Sequence, residues 1–363
     1  MAPQLFQPIA LGPISLKHRV VLAPLTRMKS DANHVPLLPL VKDYYAQRAG
    51  VPGTLQISES AIIAPKAGGL PNLPGIWTQT QITAWKEVVQ AVHAKGSFIF
   101  MQLAALGRGA IREDPSFEIV SASDIPSAQG AEKPRPLSVA EIAEYVNFYT
   151  QAAKNAMEAG FDGVEIHNAN ACLLDQFLQD VSNNRTDAYG GSPKNRARFS
   201  LEVIKAVSNV VGEERTGIRF SPWSPFGGMG MADPIPTFSH IVSEIKRLHP
   251  NLAYIHLIEP RINADSHIEP SVENANQSND FIRDIWGDRP LISAGGYTRD
   301  TAIQVTERPN ALVAFGRMFI ANPDLPVRLE KNIALHPYDR STFYLPGQDV
   351  PTGYTDQPFA TQA

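Results

Sequence analysis

The stretch "SVAEIAEYVNFYTQAAKNAMEAGFDGVEIHNA" (138–169) contains the two elements from which the fold is predicted. Up to Gly160, apolar residues recur every three or four positions behind the capping-box pair Ser138 and Glu141, a pattern that predicts a helix. The next run, "GVEIHNA" (163–169), is short and apolar, which predicts a strand. A helix that leads directly into a buried strand is typical of α/β proteins with parallel sheets.

The same alternation continues along the chain. Helical periodicity also covers 81–96 and 195–212; Ser192 and Pro193 mark the start of the latter, and Gly96, Gly160 and Gly212 are expected to end the three helices. Strand-like runs lie at 19–24, 54–60, 97–103, 163–169, 216–222, 254–260, 290–296 and 312–317. Eight strand–helix units close a barrel. We therefore predict one α/β domain over 1–363, a single (β/α)₈ TIM barrel with an N-terminal hairpin (10–16), loop insertions at 104–137 and 261–280, and a tail from about 336.

The composition excludes several classes of protein. The chain of 363 residues has 43% hydrophobic side chains and a net charge of −4, without a dense basic stretch, so we expect no nucleic-acid partner. No apolar run is long enough for a membrane span, and the start lacks the pattern of a signal peptide. The single cysteine, Cys172, cannot form an intramolecular disulfide, which favours a reducing compartment and a cytoplasmic location.

In a TIM barrel the chemistry lies where the strands end. The eight predicted ends carry Thr26, Ser60, Gln102, His167, Asn170, Arg219, Glu259, Gly295, Gly296, Gly316 and Arg317. None of them is a lysine, which argues against a Schiff-base aldolase.

The last two strand ends favour a phosphate-bearing ligand. Loops after strands 7 and 8 of TIM barrels often bind phosphate, and here they offer glycine amides and Arg317. The alternative is that "AGG" (294–296) and "FGR" (315–317) are only tight turns. The sequence lacks the P-loop and Rossmann patterns.

His167 and Asn170 are candidates for stabilising an oxyanion. They are three positions apart at the end of a predicted strand. Two neutral hydrogen-bond donors that converge on one point can stabilise a negative charge that develops there. A purely structural histidine is the alternative. A metal site made of Glu59, His167 and Glu259 is a weaker one, because the stretch lacks a metal-binding spacing, and we expect no metal.

Beyond these local patterns, the chain resembles the Old Yellow Enzyme family of FMN-dependent ene-reductases from end to end. The blocks that carry the resemblance, in the family's order, are "LAPLTR" (22–27), "PGIWT" (74–78), "GVEIHNAN" (163–170), "NNRTDAYGGSPKNRARF" (183–199), "IRFSP" (218–222), "HLIEPR" (256–261), "SAGGYT" (293–298), "FGRMFIANPDLPVRL" (315–329) and "TFYLPGQDVPTGYTD" (342–356).

The resemblance implies a set of flavin contacts. Pro24, Leu25 and Thr26 would border the flavin ring, Ser60 and Gln102 its pyrimidine edge, Arg219 its N1 and O2 atoms, Gly295, Gly296, Gly316 and Arg317 the phosphate, and Phe343 and Tyr344 the ring near the substrate. It also implies a reaction, in which hydride passes from NADPH, or NADH, through flavin N5 to the β-carbon of an enone or quinone-like substrate. The carbonyl oxygen of that substrate would be held by His167 and Asn170.

The chain departs from the family pattern near these residues. Family members usually have Gly and then Tyr after the asparagine, and that tyrosine donates a proton to the α-carbon; here Ala171 and Cys172 stand there. A thiol is a weaker hydrogen-bond donor than a phenol, on a shorter side chain. Three explanations stay open: water or Tyr344 supplies the proton, the substrate needs no such proton, or the enzyme catalyses another reaction, such as dehydrogenation or isomerisation. Ala104 stands where a Trp is common, which together with Cys172 predicts a wider pocket, and Gly227 stands where Asn is frequent.

Two other functions stay open from the sequence. The missing tyrosine would suit a flavin-dependent isomerase or dehydrogenase of natural-product biosynthesis, and a non-catalytic flavin-binding barrel is a third interpretation. His167, Asn170 and Arg219 together argue against the last, because binding alone requires none of them in that arrangement. The protein is expected to be a monomer or a homodimer.

Overall fold

The computed structural model describes residues 2–112, 114–263, 266–267 and 276–360. Its α-helices are α1 (Leu40–Arg48), α2 (Gln79–His93), α3 (Val139–Glu158), α4 (Leu173–Leu178), α5 (Pro193–Arg196), α6 (Arg198–Val211), α7 (Ile235–Leu248), α8 (Asp280–Trp286), α9 (Arg299–Val305), α10 (Arg317–Ala321) and α11 (Leu325–Lys331).

Its strands are β1 (Ile9–Leu11), β2 (Ile14–Leu16), β3 (Val20–Leu22), β4 (Leu55–Ile57), β5 (Ala61–Ile62), β6 (Phe98–Ala104), β7 (Val120–Ser121), β8 (Arg135–Pro136), β9 (Gly163–Asn168), β10 (Thr216–Phe220), β11 (Tyr254–Ile258), β12 (Ile262–Asn263), β13 (Ser266–His267), β14 (Leu291–Ala294) and β15 (Ala311–Phe315).

Eight of these strands form a closed parallel barrel. The hydrogen-bonded order is β3, β4, β6, β9, β10, β11, β14 and β15, and β15 pairs with β3 to complete the ring. Each of the eight predicted runs overlaps one barrel strand, so the predicted (β/α)₈ TIM barrel is confirmed. That residues 1–363 form one domain stays a prediction.

The predicted N-terminal hairpin is also confirmed. Strands β1 and β2 pair antiparallel, and their buried side chains pack with barrel residues such as Leu55, Phe100 and Leu312. These residues lie early in or before the middle of their strands, so the hairpin closes the amino-terminal end of the barrel. Burial of each large apolar side chain there contributes about 1.5–3 kcal/mol.

Capping residues set the ends of the surrounding helices. Ser138 and Glu141 form the predicted capping box of α3, and Ser192 accepts a hydrogen bond from the Asn195 amide at the start of α5. Helix α2 begins two residues earlier than predicted because Thr78 forms its own capping box with Gln81. The prediction that Gly96 ends this helix was wrong, since α2 ends at His93.

The described parts of the predicted insertions contain little regular structure. The first carries the two-residue strands β7 and β8, and the described part of the second carries β12 and β13. Residues 264–265 and 268–275 of that second loop lie outside the described residues. The tail contains a 3₁₀ turn at Arg340–Thr342. Among the described residues, no helix is long and apolar enough to span a membrane.

Candidate active site

A cavity of about 820 Å³ opens at the carboxyl-terminal ends of the barrel strands. The predicted site residues that line it are Pro24, Leu25, Thr26, Ser60, His167, Asn170, Cys172, Arg219, Gly295, Gly296, Gly316, Arg317, Phe343 and Tyr344. They come from strand ends far apart in the sequence, and barrel closure brings them to one rim. Of the predicted cofactor-binding residues, only Gln102 does not line the cavity.

Gln102 belongs to a buried polar layer inside the barrel. Its Oε1 atom accepts a hydrogen bond from Ser60 Oγ at 2.5 Å, and its Nε2 atom donates to Glu165 Oε1 at 2.7 Å. His256 Nδ1 lies 2.8 Å from the other carboxylate oxygen of Glu165. Although burial opposes the charge, the neighbouring His256, Arg219 and Gln102 hold the pKa of Glu165 below its usual value.

His167, Asn170 and Arg219 have buried polar atoms without a protein partner. These are Nδ1 of His167, Oδ1 of Asn170 and Nε of Arg219. Because buried polar groups are normally hydrogen-bonded, orphaned atoms on residues that line a cavity indicate a polar ligand. Burial, assisted by the charge of Arg219, lowers the pKa of His167 to about 3, so the imidazole is neutral at pH 7.

Cys172 lies at the N-cap of α4, beside Asn170, and its thiol is almost fully buried. Burial, together with the nearby carboxyl of Asp175, raises the pKa of this thiol to about 12. The side chain is therefore a protonated thiol at pH 7, with neither the nucleophilicity of a thiolate nor the reach of a phenol.

The opposite end of the cavity is made by glycines after β14 and β15. Gly295 and Gly296 have φ angles of +123° and +64°, which favour glycine. A Cβ at Gly295 would lie 2.8 Å from Ile262 Cγ1, and one at Gly316 would lie 3.0 Å from Leu25 Cδ2. Together with Arg317, these exposed backbone groups are typical of a phosphate site.

A buried arginine attaches the C-terminal segment (338–354) to the cavity. Arg27 Nε donates to the Phe343 carbonyl at 3.2 Å, and its Nη2 atom donates to Gly353 at 2.8 Å. Phe343 is thereby held in the wall, while Tyr344 lies at the rim with 46% of its surface exposed.

Several cavity residues were not predicted as site residues, among them Arg108, Phe226 and Tyr338. Arg108 is buried and donates hydrogen bonds to carbonyls of two loops, at Ile125 and Gly227 among others. Phe226 and Tyr338 also line the cavity. The only sequence signal was the position of Arg108 shortly after the end of a predicted strand. Ala104, expected to widen the pocket, is fully buried and does not line the cavity.

The candidate metal ligands are engaged elsewhere. Glu59 accepts the amides of Arg27 and Met28, and Glu259 pairs with Arg283. Within the part of the chain that the structure describes, no group of three or more His, Cys, Asp or Glu side chains is suited to a metal ion.

The cavity fits a flavin mononucleotide. It joins a glycine-lined end with Arg317, suited to a phosphate, to an end with the orphaned polar atoms of His167, Asn170 and Arg219. Comparison with known proteins agrees: residues 4–336 match the model of the NADH:flavin oxidoreductase / NADH oxidase family. The chain belongs to this family. It is a flavin-dependent NAD(P)H oxidoreductase, and FMN is its cofactor.

Relatives and solved structures agree with this assignment. The chain is 48% identical to the chanoclavine-I aldehyde reductase of Penicillium roqueforti over 99% of its own length and 97% of the relative's. It is 46% identical to a probable inactive dehydrogenase of Claviceps fusiformis, over 99% and 95% of the two chains.

Two solved structures share the fold over nearly the whole chain. Old Yellow Enzyme from Pichia sp. AKU4542 is 35% identical with a TM-score of 0.91, covering 99% of this chain and 95% of the other. Morphinone reductase in complex with tetrahydroNAD is 40% identical with a TM-score of 0.86, covering 99% and 98%. The resemblance to the Old Yellow Enzyme family is thus confirmed, whereas the roles of the individual site residues stay predictions.

Proposed function

We propose that this enzyme reduces the carbon–carbon double bond of α,β-unsaturated carbonyl compounds, with NADPH as the preferred electron donor and NADH as the alternative. The observation that carries the proposal is that His167, Asn170 and Arg219 line one cavity, where His167 Nδ1 and Arg219 Nε are buried without a protein partner. A relative named as an aldehyde reductase supports a carbonyl-containing substrate.

The flavin contacts follow the sequence prediction. When bound, FMN supplies a ring that accepts hydride from the reduced nicotinamide and delivers it to the substrate. The residues that we propose to hold it are Pro24, Leu25, Thr26, Ser60, Arg219, Gly295, Gly296, Gly316, Arg317 and Phe343. Gln102 acts through Ser60, whose hydroxyl donates a hydrogen bond to the Gln102 side chain. The guanidinium of Arg219 favours negative charge on the part of the ring that it faces.

His167 and Asn170, which we call the carbonyl clamp, act on the substrate. A neutral imidazole and an amide can both donate N–H hydrogen bonds to one carbonyl oxygen. Negative charge develops on that oxygen as the β-carbon gains a hydride, and preorganised donors in a buried site stabilise this charge. The low pKa of His167 keeps the ring neutral, so that it polarises the carbonyl without transferring a full proton.

The α-carbon needs a proton from another source than Cys172. The thiol is buried and a weak donor, so we assign this proton to water or to Tyr344 at the rim. Cys172→Tyr is the direct test, because a phenol is a longer and better donor. A faster reaction with simple enones supports this assignment, and no gain would mean that the site is built around a different substrate.

A spectrum tests the proposed reaction. The purified protein should be yellow, lose its colour with NADPH under anaerobic conditions, and regain it when cyclohexenone is added. Product analysis should show cyclohexanone, with deuterium at the α-carbon when the reaction is run in D₂O. Reduced enzyme that no enone, enal or quinone reoxidises would contradict the proposal.

A flavin-dependent isomerase or dehydrogenase is the second candidate. It is favoured by the buried thiol of Cys172, a weak proton donor beside the carbonyl clamp. An isomerase would return a substrate with a displaced double bond and an unchanged oxidation level. The same product analysis therefore separates the two functions.

The cellular setting stays a proposal as well. The single free cysteine favours a reducing compartment such as the cytoplasm, and we expect a monomer or a homodimer. Fractionation of cells and the mass of the purified protein in solution would test these two expectations.

A further inference from the structure

Asn170 and Ala171 form a strained turn between β9 and α4. Their φ angles are +52° and +61°, in the left-handed region that side-chain-bearing residues rarely adopt. Asparagine tolerates this region, whereas alanine gains nothing there. Such a conformation persists only where the surrounding structure holds it.

Three buried side chains hold this turn. Ser221 Oγ accepts the Asn170 amide at 2.9 Å, and Asp175 Oδ2 accepts the Ala171 amide at 3.0 Å. Gln176 Nε2 donates to the Ala171 carbonyl at 2.6 Å. Both backbone polar groups of Ala171 are therefore fixed by side chains from the first turns of α4.

Gln176 also connects the turn to the loop after β6. Its Nε2 atom donates to the Leu106 carbonyl at 2.9 Å, and its Oε1 atom accepts from the Arg108 amide at 3.1 Å and from Ser121 Oγ at 2.8 Å. The side-chain amide is thus used at every position. It is fully buried and does not line the cavity.

Asp175 makes a second connection, to the loop after β10. Its Oδ1 atom accepts from Gln179 Nε2 at 2.8 Å, and Gln179 Oε1 accepts the Gly230 amide at 3.0 Å. Asp175 is fully buried and is not among the cavity residues. The strained turn is therefore held from two neighbouring loops by groups that cannot touch a ligand.

We propose that Asp175 and Gln176 are positioning residues for substrate reduction. They keep the backbone of the Asn170–Ala171 turn left-handed. Through the backbone they keep the side-chain amide group of Asn170 directed at the substrate oxygen. The inference rests on the proposed function, because it gives these residues their effect through the carbonyl clamp. A displacement of about 1 Å of a clamping group can slow a reaction about 10²-fold.

The test begins with Gln176→Met in the FMN-loaded enzyme. We expect reoxidation of the reduced enzyme by cyclohexenone to slow about 10–100-fold. Binding of 4-nitrophenol, whose phenolate oxygen mimics the charged carbonyl and whose own absorbance reports binding, should weaken as well. FMN affinity should not change. Gln56→Met is the matched control, since Gln56 is a fully buried glutamine in β4 that does not line the cavity.

Two further variants separate positioning from a general structural role. In an Asn170→Ala background the Gln176→Met substitution should have almost no further effect on the rate, because both act through the same side chain. Ala171→Gly should restore much of the rate lost in Gln176→Met, since glycine adopts the left-handed conformation without strain. Asp175→Asn, which keeps the side-chain volume, goes through the same cycle if Gln176→Met does not fold.

The outcomes are distinct. Equal slowing in the wild-type and Asn170→Ala backgrounds, without rescue by Ala171→Gly, would overturn the inference and leave the proposed function intact. An Asn170→Ala enzyme as fast as the wild type would contradict the proposed function itself, and the inference would fall with it.

Discussion

The two ends of the cavity are built by different means. At the end after β14 and β15, the groups offered to a ligand are mostly backbone amides of glycines, supplemented by Arg317. At the end after β9 and β10, they are side chains, His167, Asn170 and Arg219, supported by a buried hydrogen-bond network.

The difference shows where such a barrel can change its chemistry. A backbone-built end depends on the absence of side chains, so nearly any substitution of its glycines blocks it. A side-chain-built end can be altered one residue at a time, and the three positions expected to differ from the Old Yellow Enzyme family, Ala171, Cys172 and Gly227, all lie there. We expect the first end to govern cofactor binding and the second to govern substrate reduction.

The largest expected effect lies at the side-chain end. His167→Ala removes one of two donors to the developing oxyanion, so reoxidation of the reduced enzyme by cyclohexenone should slow about 10²–10³-fold. The FMN dissociation constant should stay within about threefold, since the glycine backbone and Arg317 at the other end of the cavity are untouched. Stopped-flow absorbance at the flavin band measures the rate. His93→Ala, on the outer helix α2, is the control, and equal rates for the two variants would contradict the assignment.

The backbone end should respond in the opposite way. Gly295→Ala places a Cβ 2.8 Å from Ile262 Cγ1 at a φ of +123°, so it should weaken FMN binding about 10–100-fold. Once saturated with FMN, the variant should reduce cyclohexenone at nearly the wild-type rate. Fluorescence titration of the apoprotein measures the affinity. Gly130→Ala is the control, because Gly130 also has a positive φ, +82°, but has open space around it.

The barrel could be predicted from the sequence because its signals are local. Strand and helix periodicity, the capping pair Ser138 and Glu141, and the N-terminal hairpin all depend on neighbouring residues. Closure then places every strand end at one rim, which is why the sequence alone predicts that His167 and Arg219 lie there.

The rest of the site depends on contacts between distant loops. Arg108 and Phe226 are 118 positions apart in number, and only folding brings both to one cavity wall. Asp175 and Gln176 had no distinct signal, because in the sequence they are ordinary polar residues of a short helix. The left-handed conformation of Ala171 could not be predicted either, since alanine normally avoids it.

The buried carboxyl of Glu59 holds the backbone that follows Thr26, a residue of the cavity wall. Glu59 Oε2 accepts the amides of Arg27 and Met28, directly after Thr26, and burial raises its pKa to about 7. A raised folded-state pKa means that its contribution to stability is complete below the unfolded value and is lost as the pH rises through 7. Between pH 5 and pH 8, the unfolding free energy of the wild type should therefore fall by about 2 kcal/mol more than that of Glu59→Gln.

Urea unfolding at both pH values measures this difference. The glutamine keeps an oxygen for the two amides, so the variant isolates the cost of burying the charge. Glu87→Gln, on the exposed face of α2, is the matched control. A difference between wild type and Glu59→Gln that does not change with pH would show that the Glu59 carboxyl does not titrate in this range.

The smallest expected effect is a coupling of about 1 kcal/mol, which tests how tightly the side-chain end is packed. A Cβ at Gly227 would lie 2.6 Å from Ala171 Cβ, so the Ala171 methyl occupies space that only a glycine at 227 leaves free. Gly227→Ala should therefore lower the unfolding free energy by about 1–3 kcal/mol through overpacking and strain at its φ of +65°. Combining it with Ala171→Gly should recover about 1 kcal/mol beyond the sum of the single effects.

Gly191→Ala is the control that introduces backbone strain without the contact, since Gly191 has a φ of +78° and nothing within 4 Å of its Cβ position. Strictly additive effects of the substitutions at 171 and 227 would mean that the two loops shift apart to accommodate the added methyl group. The side-chain end would then be less rigid than its hydrogen bonds indicate.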